Sequence, residues 1–183
     1  MIIPATVLFA DLRGYTTISE GAASSDVVDM LHGFYDECAS GIWERDGIVN
    51  KFIGDAVLAI FNFPIMREDH VRQAVMAARD IQQRCAQRKR LVVGSRGASV
   101  GVGIGIHTGQ ASIGEVGTAY KDFTIIGSMV NTASRIQGAA KAGEILVSKE
   151  VYQLVEDVFP NSEPRVCQLK GIEHPATVYH LTP

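Results

Sequence analysis

The stretch Ile48-Val49-Asn50-Lys51-Phe52-Ile53-Gly54-Asp55-Ala56-Val57-Leu58-Ala59-Ile60-Phe61 decides the architecture. Two apolar runs, Ile48 to Ile53 and Ala56 to Phe61, flank a Gly-Asp pair, which is the pattern of a β-hairpin with Gly54-Asp55 at its tip. Upstream, Ala5 to Ala10 is another short apolar run with β-branched members. It stops at Asp11, just before an Arg-Gly turn, and reads as a buried strand. If the hairpin pairs beside that strand, Asp11 and Asp55 meet at one rim of the sheet. Two carboxylates so placed are hard oxygen ligands that suit Mg²⁺ or Mn²⁺, with water and substrate phosphates filling the other positions. Taken singly, an Asp after a strand and a Gly-Asp in a hairpin are also ordinary turn chemistry.

The chain as a whole reads as strand, helices, hairpin, helix, hairpin, helix, strand, with no linker or internal repeat to divide it. Ser24 or Ser25 can cap a helix whose Val27, Leu31, Phe34, Cys38 and Ile42 form one apolar stripe, ended by Asp46-Gly47. Val71, Ala74, Val75, Ala78, Ile81 and Cys85 repeat with the same period. Both helices are expected to bury one face against a sheet. From Ala98 to His107, Gly101, Gly103 and Gly105 alternate with Val and Ile, so the three glycines share one strand face and let another backbone come close. A strand of alternating glycines is not the glycine turn of a dinucleotide site, and no Walker-type phosphate loop is present. Ser128 is placed to cap a third helix, on which Asn131 and Arg135 fall four residues apart on one face. They can point at one ligand or simply occupy a surface. Lys51 is either a snorkelling edge residue or a donor aimed into a pocket.

Composition narrows the classes. With 183 residues and 46% hydrophobic content, the chain suffices for one α+β domain with a sizeable core. A net charge of −3 and 7% aromatic residues argue against nucleic-acid binding. The basic run Arg84 to Arg90 is expected to complement a helix end and stay solvated. Cys38, Cys85 and Cys167 are odd in number and lack metal spacing, which fits a reducing cytoplasm. The apolar opening residues lack a basic leader and read as a core strand, and no segment approaches the roughly 20 apolar residues of a membrane span.

Four stretches, occurring in order, resemble the motifs of class III nucleotidyl cyclases: Phe9-Ala10-Asp11-Leu12-Arg13-Gly14-Tyr15-Thr16, Lys51-Phe52-Ile53-Gly54-Asp55, Gly105-Ile106-His107-Thr108-Gly109 and Asp122-Phe123-Thr124-Ile125-Ile126-Gly127-Ser128-Met129-Val130-Asn131-Thr132-Ala133-Ser134-Arg135. The resemblance implies a ferredoxin-like palm core with a mostly antiparallel sheet flanked by helices, and an extra hairpin used in dimerisation. It makes residues 1–183 a single catalytic domain excised from a larger, regulated protein that is cytoplasmic or anchored through segments outside this sequence.

By the same resemblance the activity is conversion of ATP to 3′,5′-cyclic AMP and pyrophosphate. Asp11, Asp55 and the backbone carbonyl of Leu12 would hold two divalent ions, Mg²⁺ or Mn²⁺. Lys51 and Thr124 match the purine-reading pair of a bacterial adenylyl subgroup. Asn131 would position the ribose and Arg135 would stabilise charge on the α-phosphate. Arg13, Gly14, Tyr15, Thr16 and Lys170 would contact the triphosphate. The carboxylates and the remaining groups would come from different chains of a head-to-tail homodimer. Departures from the family pattern are the short segment from Thr118 to Asp122, where Lys121 could replace a basic phosphate contact, and Ser128 where Asp is common. The alternatives are a guanylyl or mixed-specificity cyclase, and a non-catalytic ATP-binding regulatory domain. His107 is read as structural.

Overall fold

The structure, a computed structural model, describes residues 1–87, 92–93 and 98–182. In chain order the elements are β1 (Ile2–Arg13), α1 (Tyr15–Gly21), α2 (Ser24–Trp43), β2 (Ile48–Ile53), β3 (Ala56–Phe61), α3 (His70–Gln87), β4 (Val92–Val93), β5 (Ala98–Ser99), β6 (Gly101–Val116), β7 (Asp122–Ile126), α4 (Ser128–Ala139), β8 (Ile145–Ser148), α5 (Lys149–Tyr152), β9 (Glu163–Cys167) and β10 (Ala176–His180). An eight-stranded sheet runs β2-β3-β1-β6-β8-β10-β9, with β7 also paired to β6. All pairings are antiparallel except β6 with β8. The first half is thus a ferredoxin-like core, a mostly antiparallel sheet with flanking helices as expected from the sequence. The chain continues past the expected final strand, adding α5, β9 and β10.

Strand alternation assigns the two faces of the sheet. Leu8, Ala10 and Leu12 of β1, with Val57, Ala59 and Phe61 of β3, pack against the apolar stripes of α2 and α3. Ala5 and Val7, with Leu58 and Ile60, pack on the other face with Met129 and Ala133 of α4. Asp11 is in phase with Ala5 and Val7, so it belongs to the α4 face. The α3 stripe is buried throughout; in α2 Leu31 is only partly buried, and Met30 takes its place in the core. Beyond α2, Asp46 adopts φ 59° while the Gly47 N–H donates to Ile42 and that of Asp46 to Trp43, a left-handed helix stop.

The glycine face of β6 does admit another backbone. A methyl at Gly105 would lie 2.5 Å from Gln137 Cα, and one at Gly101 would lie 3.1 Å from Ala142 Cα, so α4 and its C-terminal connection rest directly on the strand.

Three local expectations change. Ala23, not Ser24 or Ser25, precedes the first turn of α2, and Gly127, not Ser128, is the N-cap of α4; neither helix has a side-chain cap, because all three serines already lie inside the first turns. Arg84 is not merely solvated: it pairs with Glu44 at 2.6 Å and Glu37 at 3.7 Å. Residues 88–90 of that basic run lie outside the described residues. Among the described residues no helix is long and apolar enough to cross a membrane.

Candidate active site

The hairpin pairs beside β1, in register Asp11 opposite Ala56, and the Leu12 N–H donates to the Asp55 carbonyl at 3.2 Å. Gly54 supplies the positive φ of the tip, 59°, and its carbonyl accepts from the Tyr35 hydroxyl. Asp11 and Asp55 therefore share one rim, both half-buried. Leu12 follows Asp11 and faces Asp55 across the strand pair, its side chain 3% exposed in the core.

Burial is the main influence on the Asp11 carboxyl and raises its pKa; the nearby Gln137 amide and the charge of Arg13 oppose the rise, while Asp55 adds to it. Asp11 Oδ1 is buried and has no hydrogen-bond donor among the described residues, with the Arg13 Nε 3.4 Å away in an ion pair. Arg13 offsets part of the repulsion between the two carboxylates, but an ionised carboxylate oxygen can only accept, and one with no directed donor is free to take a cation. That donor set fits a hard divalent ion. Among the described residues no three His, Cys, Asp or Glu gather to hold a metal by themselves, so an ion here would complete its shell from backbone, water or substrate.

Arg13 is not directed at the turn it begins. Its guanidinium donates to the Gln137 carbonyl and lies so close to β6 that a methyl at Gly103 would come within 2.6 Å of its Nε. Arg13 therefore braces β1 against the end of α4. Gly14, at φ 79°, precedes α1, whose first turn holds Tyr15 and Thr16, and no side chain caps it.

Lys51 reaches β7. The β2–β3 register slips between Val49 and Lys51, and such a bulge re-aims the side chains it carries. Asn50 donates to the Phe123 carbonyl at 3.0 Å, and Lys51 forms an ion pair with Asp122. The expected partner Thr124 lies two residues farther along β7, hence on the same face as Asp122. Lys121 is committed to Glu115 at 3.3 Å.

On α4, Asn131 is exposed and Arg135 half-buried. Arg135 faces the β9–β10 connection: a methyl on Gly171 would lie 3.1 Å from its Nη2, and Ser134, Arg135, Gly138, Gln168 and exposed Lys170 line one cleft of about 360 Å³. Gln137 faces the opposite way, into Asp11 and Gly105. His107 bonds Ser148 at 2.8 Å, and burial lowers its pKa, as a structural histidine would.

Sequence reading passed over Gln137 and Asp122. Strand alternation offered a signal for Asp122, an acid in phase with Thr124. Gln137 had none, because its role depends on α4 lying against the glycine face.

The family model of the adenylate and guanylate cyclase catalytic domain matches residues 3–183. Adenylate cyclase 1 of Rhizobium meliloti (strain 1021) is 30% identical over 179 residues, covering 96% of this chain and 27% of that protein; the chain spans well under half the length of the curated relatives it matches. The crystal structure of the adenylyl cyclase CyaB from P. aeruginosa superposes with TM-score 0.88 at 30% identity, covering 100% of this chain and 95% of that one. The guanylate cyclase domain of RhGC from Catenaria anguillulae, in complex with GTP, gives TM-score 0.87 at 28% identity, covering 98% and 96%. This chain belongs to the class III adenylyl and guanylyl cyclase catalytic domain family.

Proposed function

We propose that the chain is an adenylyl cyclase catalytic domain that converts ATP to 3′,5′-cyclic AMP and pyrophosphate at sites shared by two copies. The observation that carries this reading is the meeting of Asp11 and Asp55 at the β1–β3 rim, with a buried Asp11 oxygen that has an ion pair to Arg13 but no hydrogen-bond donor among the described residues. Asp11, Asp55 and the Leu12 carbonyl would hold two divalent ions, Mg²⁺ or Mn²⁺, which when bound supply Lewis acidity toward the 3′ oxygen and the triphosphate.

The ribose 3′ oxygen attacks the α-phosphorus, the bond to the β-phosphate oxygen breaks, and pyrophosphate leaves. Asn131 orients the ribose for that attack. Arg135 meets the charge that grows on the α-phosphate. Gly14, Tyr15, Thr16 and Lys170 contact the triphosphate, while Arg13 supports Asp11 from behind. Lys51 and Thr124 receive the purine.

Residues two apart on an α-helix point about 200° apart. Since Gln137 is buried on the Asp11 side of its own chain, Arg135 faces away from it and Asn131, about 120° round the helix from Gln137, is exposed, which supports a head-to-tail homodimer in which one copy gives the carboxylates and the other gives α4. The domain would serve as the catalytic unit of a longer, regulated protein in the cytoplasm.

A guanylyl reading draws support from the likeness to a GTP-bound cyclase domain; Lys51 and Thr124 favour ATP. The test is incubation of the protein with ATP or GTP and Mg²⁺ or Mn²⁺, beside Asp55→Ala. Cyclic AMP that requires the metal and Asp55 is the expected result. Predominant cyclic GMP would reverse the purine assignment, and no product from a demonstrated dimer would favour a regulatory nucleotide-binding role.

A further inference from the structure

We propose that Asp122 is a specificity-determining residue, which fixes Lys51 in the purine pocket and so sets the preference for adenine over guanine. The inference rests on the cyclase reading above.

A lysine ammonium is a point charge on a flexible four-carbon stem. On an edge strand such as β2 it would ordinarily lie along the surface with its head in water. Here the bulge at Asn50 turns two consecutive side chains toward β7. The Asn50 amide binds the Phe123 carbonyl and Lys51 binds the Asp122 carboxylate, so two neighbouring contacts stitch β2 to β7 across some seventy residues of sequence. Asp122 and Thr124 share one face of β7, and the Lys51 head is thereby held on the face that carries Thr124. An ammonium has three donors; Asp122 takes one and leaves the others for a ligand.

The purines differ in what they offer such a donor. Adenine carries an amino donor at position 6 and an acceptor at ring position 1. Guanine carries an acceptor at position 6 and an N–H at position 1. A lysine fixed against ring position 1 accepts adenine and leaves guanine's N–H unpaired, whereas a lysine free to swing reaches guanine's position 6 oxygen as easily. Discrimination therefore depends on what restrains Lys51, and Asp122 is that restraint.

The experiment compares Asp122→Asn, which keeps the shape without the charge, Asp122→Ala and Asp122→Glu with the parent. The readouts are kcat/KM for ATP and for GTP, and displacement of a fluorescent ATP analogue by each nucleotide. The Asn and Ala variants should lower the ATP-to-GTP ratio about tenfold, mainly through a higher KM for ATP, and Glu should recover part of it. A ratio within about twofold of the parent in both Asn and Ala, or equal losses for both nucleotides, would overturn the proposal. Absence of cyclic product from the parent itself would count against the cyclase reading instead, and the displacement ratio would still decide the role of Asp122.

Discussion

Gly105 and Gly138 separate two effects of the same substitution. A methyl at Gly105 would strike the Gln137 backbone, whereas one at Gly138 would meet nothing within 4 Å. Backbone cannot be repacked like a side chain tip, so Gly105→Ala should push α4 off β6 and cost about 1–3 kcal/mol. Gly138→Ala, exposed in a helix, should be neutral or stabilise by up to about 1 kcal/mol. Urea denaturation of the two variants checks this; equal midpoints would refute direct seating of α4 on the glycine face. Sequence spacing had already put Gly101, Gly103 and Gly105 on one face and required a close backbone. It could not say which backbone, since that depends on a contact more than thirty residues away. The carboxylates were legible for a similar local reason: Asp55 sits at the tip of its own hairpin. The partner of Lys51 was not, because a bulge shifts the register by one residue and no pattern in the sequence marks where it falls.

Among the elements, β9 is where sequence reading ran out. Glu163–Cys167 is a mostly exposed edge strand carrying Pro164 and Arg165 on a sheet edge, features that discourage further pairing and also interrupt the kind of apolar run by which β1, β2 and β3 were recognised. What holds β9 is in part charge. Arg165 binds Glu144, at the entrance to β8, through two hydrogen bonds of 2.9 Å, and a Glu144 oxygen also accepts from the Lys141 N–H. Arg165, foremost, holds the Glu144 carboxyl down to about 2. A carboxylate whose pKa is depressed by folding stabilises fully above its ordinary value, and the contribution fades as pH falls toward the folded value. Glu144→Gln should therefore lower the denaturation midpoint near neutral pH, by on the order of 1 kcal/mol for a partly exposed pair, and have little effect near pH 2. Midpoints measured across that range test the sign; a deficit that persists undiminished in acid would rule out the ion pair as its source. The same logic with the opposite charge type applies to His70 and His107. Burial is the main reason both pKa values are lowered, so their neutral forms are favoured in the fold and acidification below the ordinary histidine value should weaken it. Replacing His107 by Gln should flatten the stability profile there.

For the whole molecule, the arrangement of α4 supports the proposed sharing of sites between two copies. The helix lies on the same sheet face as Asp11 with buried Gln137 packed against β6, while Arg135 is directed toward Gly171 and Lys170 and Asn131 is exposed. On the proposed reading, one copy would carry the carboxylate half of a site at one place and the cationic half at another. Two copies related head to tail would complete two equivalent sites, each taking Asp11 and Asp55 from one chain and Asn131 and Arg135 from its partner. Asp55→Ala should abolish turnover. Arg135→Ala should reduce it on the order of 10² to 10³-fold while leaving ATP binding, because a group aimed at developing charge acts mainly in the transition state. The two defects fall in different halves, so mixing the variants creates heterodimers in which one site has both lesions and the other has neither. With random pairing, half the dimers are mixed and each has one intact site of two, so activity should return to about a quarter of the parent value, with the dependence on mixing ratio peaking near equal amounts. Cyclic AMP formation by the mixture, followed alongside the mass of the dimers, is the measurement. Activity no greater than the average of the two separate variants, with mixed dimers present, would mean that each chain completes its own site and that the outward face of α4 serves some other purpose.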